Sequence, residues 1–157
     1  MEEAAQILED RNQRGLFLLT VQELAAQENL LRRLIGAGHL VGLRVVDDLP
    51  ADAMAQVEEG RRLLAEIALC RLIIVSLPQS QEEFAPRLEE LGYALWRAGI
   101  AAGPDMEKEE LLSALDGEGP NFVEFECGTA QLALLDQAMD DLAGSGYRLR
   151  LATAPML

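Results

Sequence analysis

The apolar residues of this chain keep changing period. Stretches with apolar side chains at helical spacing alternate with short continuous apolar runs, and glycine, proline or a polar cap marks most of the switches. Residues 2–13 predict a helix with Ala5, Ile7 and Leu8 on one side, ended by Gly15 ahead of the strand Leu16-Phe17-Leu18-Leu19. Residues 21–37 place Leu24, Leu30, Leu31, Leu34 and Ile35 at helical spacing and stop at Gly36-Ala37-Gly38, before a strand at 40–45. Pro50 and Asp52 open a helix over 51–68, which leads to Leu72-Ile73-Ile74-Val75, an apolar run typical of a strand covered on both faces. Helices at 80–91, 107–115 and 129–143 precede strands at 93–96, 122–125 and 147–151. Six helix-then-strand units with short connections predict a parallel sheet. No linker or low-complexity segment interrupts them, so residues 1–157 are expected to form a single α/β domain.

Charge narrows the partners. The 157 residues are about half hydrophobic, enough for a real core, and carry 13 Lys+Arg against 27 Asp+Glu, a net charge of −14. Such a surface repels phosphate backbones and anionic lipid, which argues against nucleic acid and membrane-surface partners. Much of the negative charge falls on solvated helix faces, as at Glu58-Glu59, Glu82-Glu83 and Asp140-Asp141. The start, Met1-Glu2-Glu3-Ala4, has no apolar core of signal-peptide length, and no apolar run reaches the roughly 20 residues that span a bilayer. The chain as it stands is expected to be soluble and cytoplasmic, or to belong to the cell envelope or exterior if an export signal has been removed. Two distant cysteines, Cys70 and Cys127, and one histidine, His39, exclude a disulfide framework and a closed His/Cys metal site.

Several chemical motifs fail on context. Gly36-Ala37-Gly38-His39-Leu40-Val41 opens like a dinucleotide fingerprint, but Val41 stands where the third glycine belongs and the stretch lies between a helix and a strand, the wrong order for a pyrophosphate. Ser76 follows an apolar strand, as a nucleophile on an α/β scaffold would, yet its base would have to be His39. Carboxylates at strand C-termini are a further candidate, since that edge hosts the site in parallel α/β folds. Asp47 and Asp48 follow the second strand, and Glu124 and Glu126 lie in and after the fifth; such acids could form an acid/base pair or hold a hard cation. Tyr93 and Trp96 could stack on a sugar, although core placement is the simpler reading, and His39 reads as a packing or backbone-capping residue at a helix-to-strand corner.

Taken in order, the segments resemble the NodB-homology domain of the polysaccharide deacetylases, metal-dependent carbohydrate esterases. Gln6 to Asp10 running through Gly15-Leu16-Phe17-Leu18-Leu19-Thr20 is similar to the family's first helix and its following strand. Asn29 to Gly42, with Gly38-His39 closing a helix and Val41-Gly42 in the next strand, is the most specific match. Glu58 to Leu64, Leu88 to Tyr93 and Leu142 to Leu149 resemble the later helix and strand corners. The resemblance implies a distorted TIM-type (β/α) barrel with six of the family's seven strands present, the chain starting after the family's opening strand with its paired aspartates.

The departures from that pattern imply lost chemistry. Where the family has its two metal-binding histidines, this chain has Leu43, Arg44, Val45 and Asp48, and the family's catalytic-acid histidine falls at or near Glu126. A deacetylase of this kind uses a divalent cation to activate water between a base and an acid, and a guanidinium cannot ligate one. The expectation is a catalytically inactive deacetylase-like domain without metal or cofactor, a structural or ligand-binding module of a carbohydrate- or envelope-related protein, with a vestigial site at Arg44, Asp47, Asp48, Ser76, Glu124 and Glu126. Arg44 would stand in for the metal's charge, facing Asp48 and Glu126. The alternative is a divalent-metal-dependent hydrolase acting on acetylated carbohydrate through recruited carboxylates. The expected partners are a carbohydrate and a second copy, paired through the open edges at strands 16–19 and 147–151.

Overall fold

The computed structural model describes residues 1–49, 51–115 and 120–153; Pro50, expected to help open a helix, lies outside them. The elements run α1 (Glu2–Asp10), β1 (Leu16–Leu19), α2 (Val21–Ala26), α3 (Glu28–Gly36), β2 (Leu40–Arg44), α4 (Ala53–Ala68) and β3 (Ile74–Ser76), then a 3-10 segment (Gln79–Phe84), α5 (Ala85–Glu90), β4 (Ala94–Leu95), β5 (Ile100–Ala102), α6 (Lys108–Ala114), β6 (Val123–Phe125) and α7 (Thr129–Gly144). They gather into two units. Of the described residues, one holds 14–96 and 151–153; the other holds 1–13 and 97–150.

The first unit is a four-stranded parallel sheet in the order β1-β2-β3-β4. Each strand is too short to carry a sheet alone, and helices packed on it supply the missing apolar cover. Leu19, Leu24, Leu31, Leu34, Leu43 and Leu64 are fully buried there, each such burial contributing about 1.5–3 kcal/mol before entropy is charged. Thr20 starts α2 with a capping box: its hydroxyl accepts the Glu23 N–H while the Glu23 carboxylate accepts the Thr20 N–H at 2.8 Å. Asp52 caps α4 by accepting the Ala55 N–H at 2.9 Å. Two glycines let the layers close. A Cβ on Gly60 would lie 2.9 Å from Leu43 Cδ1, so α4 seats directly on β2, and one on Gly42 would lie 2.8 Å from the Ile74 carbonyl oxygen.

The second unit pairs β5 with β6 in parallel, Ile100 opposite Val123 and Ala102 opposite Phe125. Its core is Ala102, Leu111, Leu134 and Ala138, with Ile100, Met106, Val123 and Phe125 packed against it. Arg11, just past α1, reaches Asp136 and Asp140 of α7, each at 2.9 Å, and Lys108 reaches Asp141 at 2.7 Å. No helix among the described residues is long and apolar enough to cross a membrane.

The helix-then-strand order is borne out through the first four strands, and the parallel strands make this an α/β fold. Other expectations need correction. The six strands fall into a four-stranded and a two-stranded sheet, and no closed barrel is present among the described residues. Residues 147–151 have no ladder partner among the described residues; alternating apolar and basic side chains suit a half-exposed strand, but a pattern does not provide a neighbour. The sixth strand is instead Ile100–Ala102, which two alanines left without a β signal. The helix expected over 21–37 breaks at Gln27 (φ −121°, ψ 47°), because the positions three and four after Leu24 are Gln27 and Glu28 and no apolar side chain ties that turn to the core. The helix expected over 80–91 is a 3-10 segment followed by α5, since Pro86 has no N–H to donate and would clash with a preceding helical turn.

Candidate functional site

Strands β2 and β3 run side by side with Arg44 opposite Ser76, so their C-terminal ends arrive together, and the Val45 N–H donates to the Ser76 carbonyl at 2.9 Å. Beyond that point the chain leaves the sheet through Val46, Asp47 and Asp48. Gln56, 1% exposed on the inner face of α4, fixes this loop. Its carbonyl oxygen accepts the Val46 N–H at 3.1 Å, and its amide nitrogen donates to the carbonyls of Val46 and Ala51, each at 2.8 Å. A polar side chain on a buried stripe survives only when its groups are matched, and here they are.

The loop so held presents Asp47 to the segment after β3. The Ser80 hydroxyl donates to Asp47 Oδ2 at 2.5 Å and the Gln81 amide to Oδ1 at 2.9 Å. These two donors, the hydroxyl first, hold the Asp47 carboxyl below the usual carboxylate range against a small opposing effect of desolvation. Arg44, Asp47, Asp48, Ser76, Leu77 and Pro78 line an open cleft of about 480 Å³. Four of the six sequence-derived site residues therefore share one place. Glu124, within β6, and Glu126, exposed just after it, belong to the other unit. Asp48 is exposed and, among the described residues, makes no ion pair, so the pairing with Arg44 expected from sequence is not formed.

A divalent cation does not suit this donor set. Among the described residues no three of His, Cys, Asp and Glu stand close enough to share a metal. Both Asp47 oxygens already accept hydrogen bonds, Asp48 offers one more carboxylate, and Arg44 brings a permanent positive charge into the same cleft. The base that sequence reasoning allowed Ser76, His39, is out of reach. His39 lies just before the first residue of β2 and Ser76 faces the last, roughly 15 Å apart at the rise of a strand. His39 is 3% exposed, accepts the Gly15 N–H through Nδ1 at 3.1 Å and meets Phe17 edge to face with centroids 5.1 Å apart, which is the packing and capping role. Trp96 is buried, and Tyr93 lies half-buried in a groove away from this cleft.

Gln56, Ser80 and Gln81 were missed in the sequence. Gln56 did leave a signal: it stands in line with Ala53, Val57, Gly60 and Leu64, a lone polar residue on the buried stripe of α4. Ser80 and Gln81 left none, since their role depends on where the loop after β3 lands.

The sequence matches no protein-family profile and no curated protein. Solved structures match closely in shape. The polysaccharide deacetylase Bc1974 of Bacillus cereus superposes with a TM-score of 0.83 at 15% identity, covering 99% of this chain and 87% of that one. Bacillus subtilis PdaA, a family 4 carbohydrate esterase, gives 0.80 at 16%, covering 96% and 72%. BA3943 of Bacillus anthracis, a CE4 family pseudoenzyme, gives 0.79 at 12%, covering 96% and 58%. The fold is that of the CE4 polysaccharide deacetylases. This chain spans less than two thirds of the BA3943 chain, and at 12–16% identity the likeness to all three speaks for the CE4 fold and not for an activity.

Two outcomes test the geometry of the cleft. Gln56→Leu keeps the volume but strands the Val46 N–H and the Ala51 carbonyl, and should cost about 2 kcal/mol or more in urea unfolding; an unchanged midpoint would show that the loop does not need the clamp. Asp47, with its folded pKa depressed, contributes stability that is present above the unfolded value of about 3.9 and lost as pH falls through the lower folded value. The gap in Tm between wild type and Asp47→Ala should therefore be widest above about pH 5 and close as the pH falls through the lowered folded value.

Proposed function

We propose that this chain is a non-catalytic domain on the CE4 fold, a structural or ligand-binding module of a carbohydrate- or envelope-related protein. The observation that carries the reading is the donor set at the C-terminal ends of β2 and β3: a guanidinium and one committed carboxylate where metal-assisted hydrolysis needs several open ligands. The likeness to a CE4 pseudoenzyme supports it, since that protein shares the fold without being an active esterase. The barrel-like course of the family's strands goes with the same reading, supported by the 0.83 superposition over 99% of the chain.

The ligand is proposed to be a carbohydrate, with Arg44, Ser76 and Asp48 as the polar groups the cleft offers it. A homodimer through the outer edge of β1 is proposed as well, supported by β1 pairing only with β2 among the described residues. A strictly monomeric sedimentation profile would remove that part.

The rival reading, a hydrolase using Asp47, Asp48, Glu124 and Glu126 around a cation, makes the opposite forecast. Calorimetric titration with zinc, cobalt, manganese and calcium should give no saturable heat, and N-acetylglucosamine oligomers incubated with protein and each metal should release no acetate above the protein-free control. One-to-one binding accompanied by acetate release would overturn the non-catalytic reading.

A further inference from the structure

A second concavity lies at the other end of the same strands, where α4 turns into β3 and α5 turns into β4. It is a groove of about 540 Å³ lined by eight residues, among them Leu69, Leu72, Leu91, Tyr93, Arg61 and Arg71. Leu69 is 91% exposed and sits in the left-handed region (φ 54°, ψ 30°) at the end of α4, where glycine is the usual residue and a branched side chain costs roughly 1–2 kcal/mol. Leu91 is 47% exposed. These are two of the three large apolar side chains that stand exposed among the described residues, and both border one groove.

Charge at the groove runs against the rest of the surface. In a chain of net charge −14, none of its lining residues is acidic and two are arginines. Arg61 is held on the rim by Glu58, and Arg71 is exposed and, among the described residues, makes no ion pair. We propose that this groove docks a short acidic and apolar peptide segment of a partner protein. An aliphatic side chain would lie between Leu69 and Leu91 over the buried Leu72, and a flanking carboxylate would meet Arg71. Eight lining residues are far fewer than the roughly 20–30 a side of a standard protein interface, which favours a linear segment over a globular face. The inference is independent of whether the cleft at Arg44 is catalytic.

The test uses the whole chain and two fluorescein-labelled hexapeptides, one alternating Glu and Leu, the other Lys and Leu, followed by fluorescence anisotropy. The Glu-Leu peptide should bind saturably and the Lys-Leu peptide at least about tenfold more weakly. Leu69→Asp and Arg71→Glu should each weaken the Glu-Leu complex by about tenfold or more. Both positions are solvent-facing and aspartate tolerates the left-handed region, so the melting temperatures of the variants should stay at or above wild type. Absence of saturable Glu-Leu binding, equal binding of the two peptides, or indifference to both substitutions would overturn the proposal. So would a wild-type dimer that Leu69→Asp converts to monomer, which would make a second copy the occupant.

Discussion

Gln56 projects from the buried face of α4, and its amide meets three backbone groups: the N–H and C=O of Val46 and the C=O of Ala51, of which, among the described residues, only the Val46 C=O has a second side-chain partner, the Gln81 amide at 3.4 Å. An unmatched buried polar group costs about 1–3 kcal/mol, so α4 and the loop after β2 hold their positions together. The helix can seat deeply enough for this because Gly60 has no side chain to meet Leu43, and it starts where it does because Asp52 caps it. The position of Asp47, and with it the character of the cleft, follows from this clamp.

Asp47 faces Ser80 and Gln81, and both of its oxygens are occupied by donors from the same chain. A carboxylate used in this way ties the loop after β2 to the segment after β3. Metal-assisted hydrolysis asks the reverse of such a group: open lone pairs, converging with several others on one cation. Arg44 adds a positive charge to the same cleft and further weakens any case for a cation there. The fold of a deacetylase and a cleft built for internal cohesion thus occur in one chain, a combination in keeping with the fold's occurrence in a pseudoenzyme.

Much of this could be read from the sequence where local signals were strong. Apolar periodicity flagged β1, β2, and β3 with its start two residues early; Asp47, Asp48 and Ser76 stood out as residues at the C-terminal ends of parallel strands, and Arg44 only through the family resemblance. The failures have physical causes. Ile100–Ala102 is a strand because β6 pairs with it, a non-local reason that two alanines cannot announce. Residues 147–151 carry an alternating pattern without an edge to pair with among the described residues. Pro86 sits in the first turn of α5, where a missing N–H is tolerated, so it marks a helix start within the apolar pattern of 80–91. Asp48, expected to face Arg44, is exposed, and the Gln56 bonds to Val46 and Ala51 on either side of it are long-range contacts that leave only a faint trace in sequence.

The cleft at the ends of β2 and β3 offers a divalent cation too few open ligands. Crystals of the protein soaked in zinc, with diffraction recorded on either side of the zinc absorption edge, test it most directly. No anomalous peak is expected among Arg44, Asp47, Asp48 and Ser76, with Asp47 still bonded to Ser80 and Gln81. A peak bound by Asp47 and Asp48, with those two hydrogen bonds broken, would contradict it.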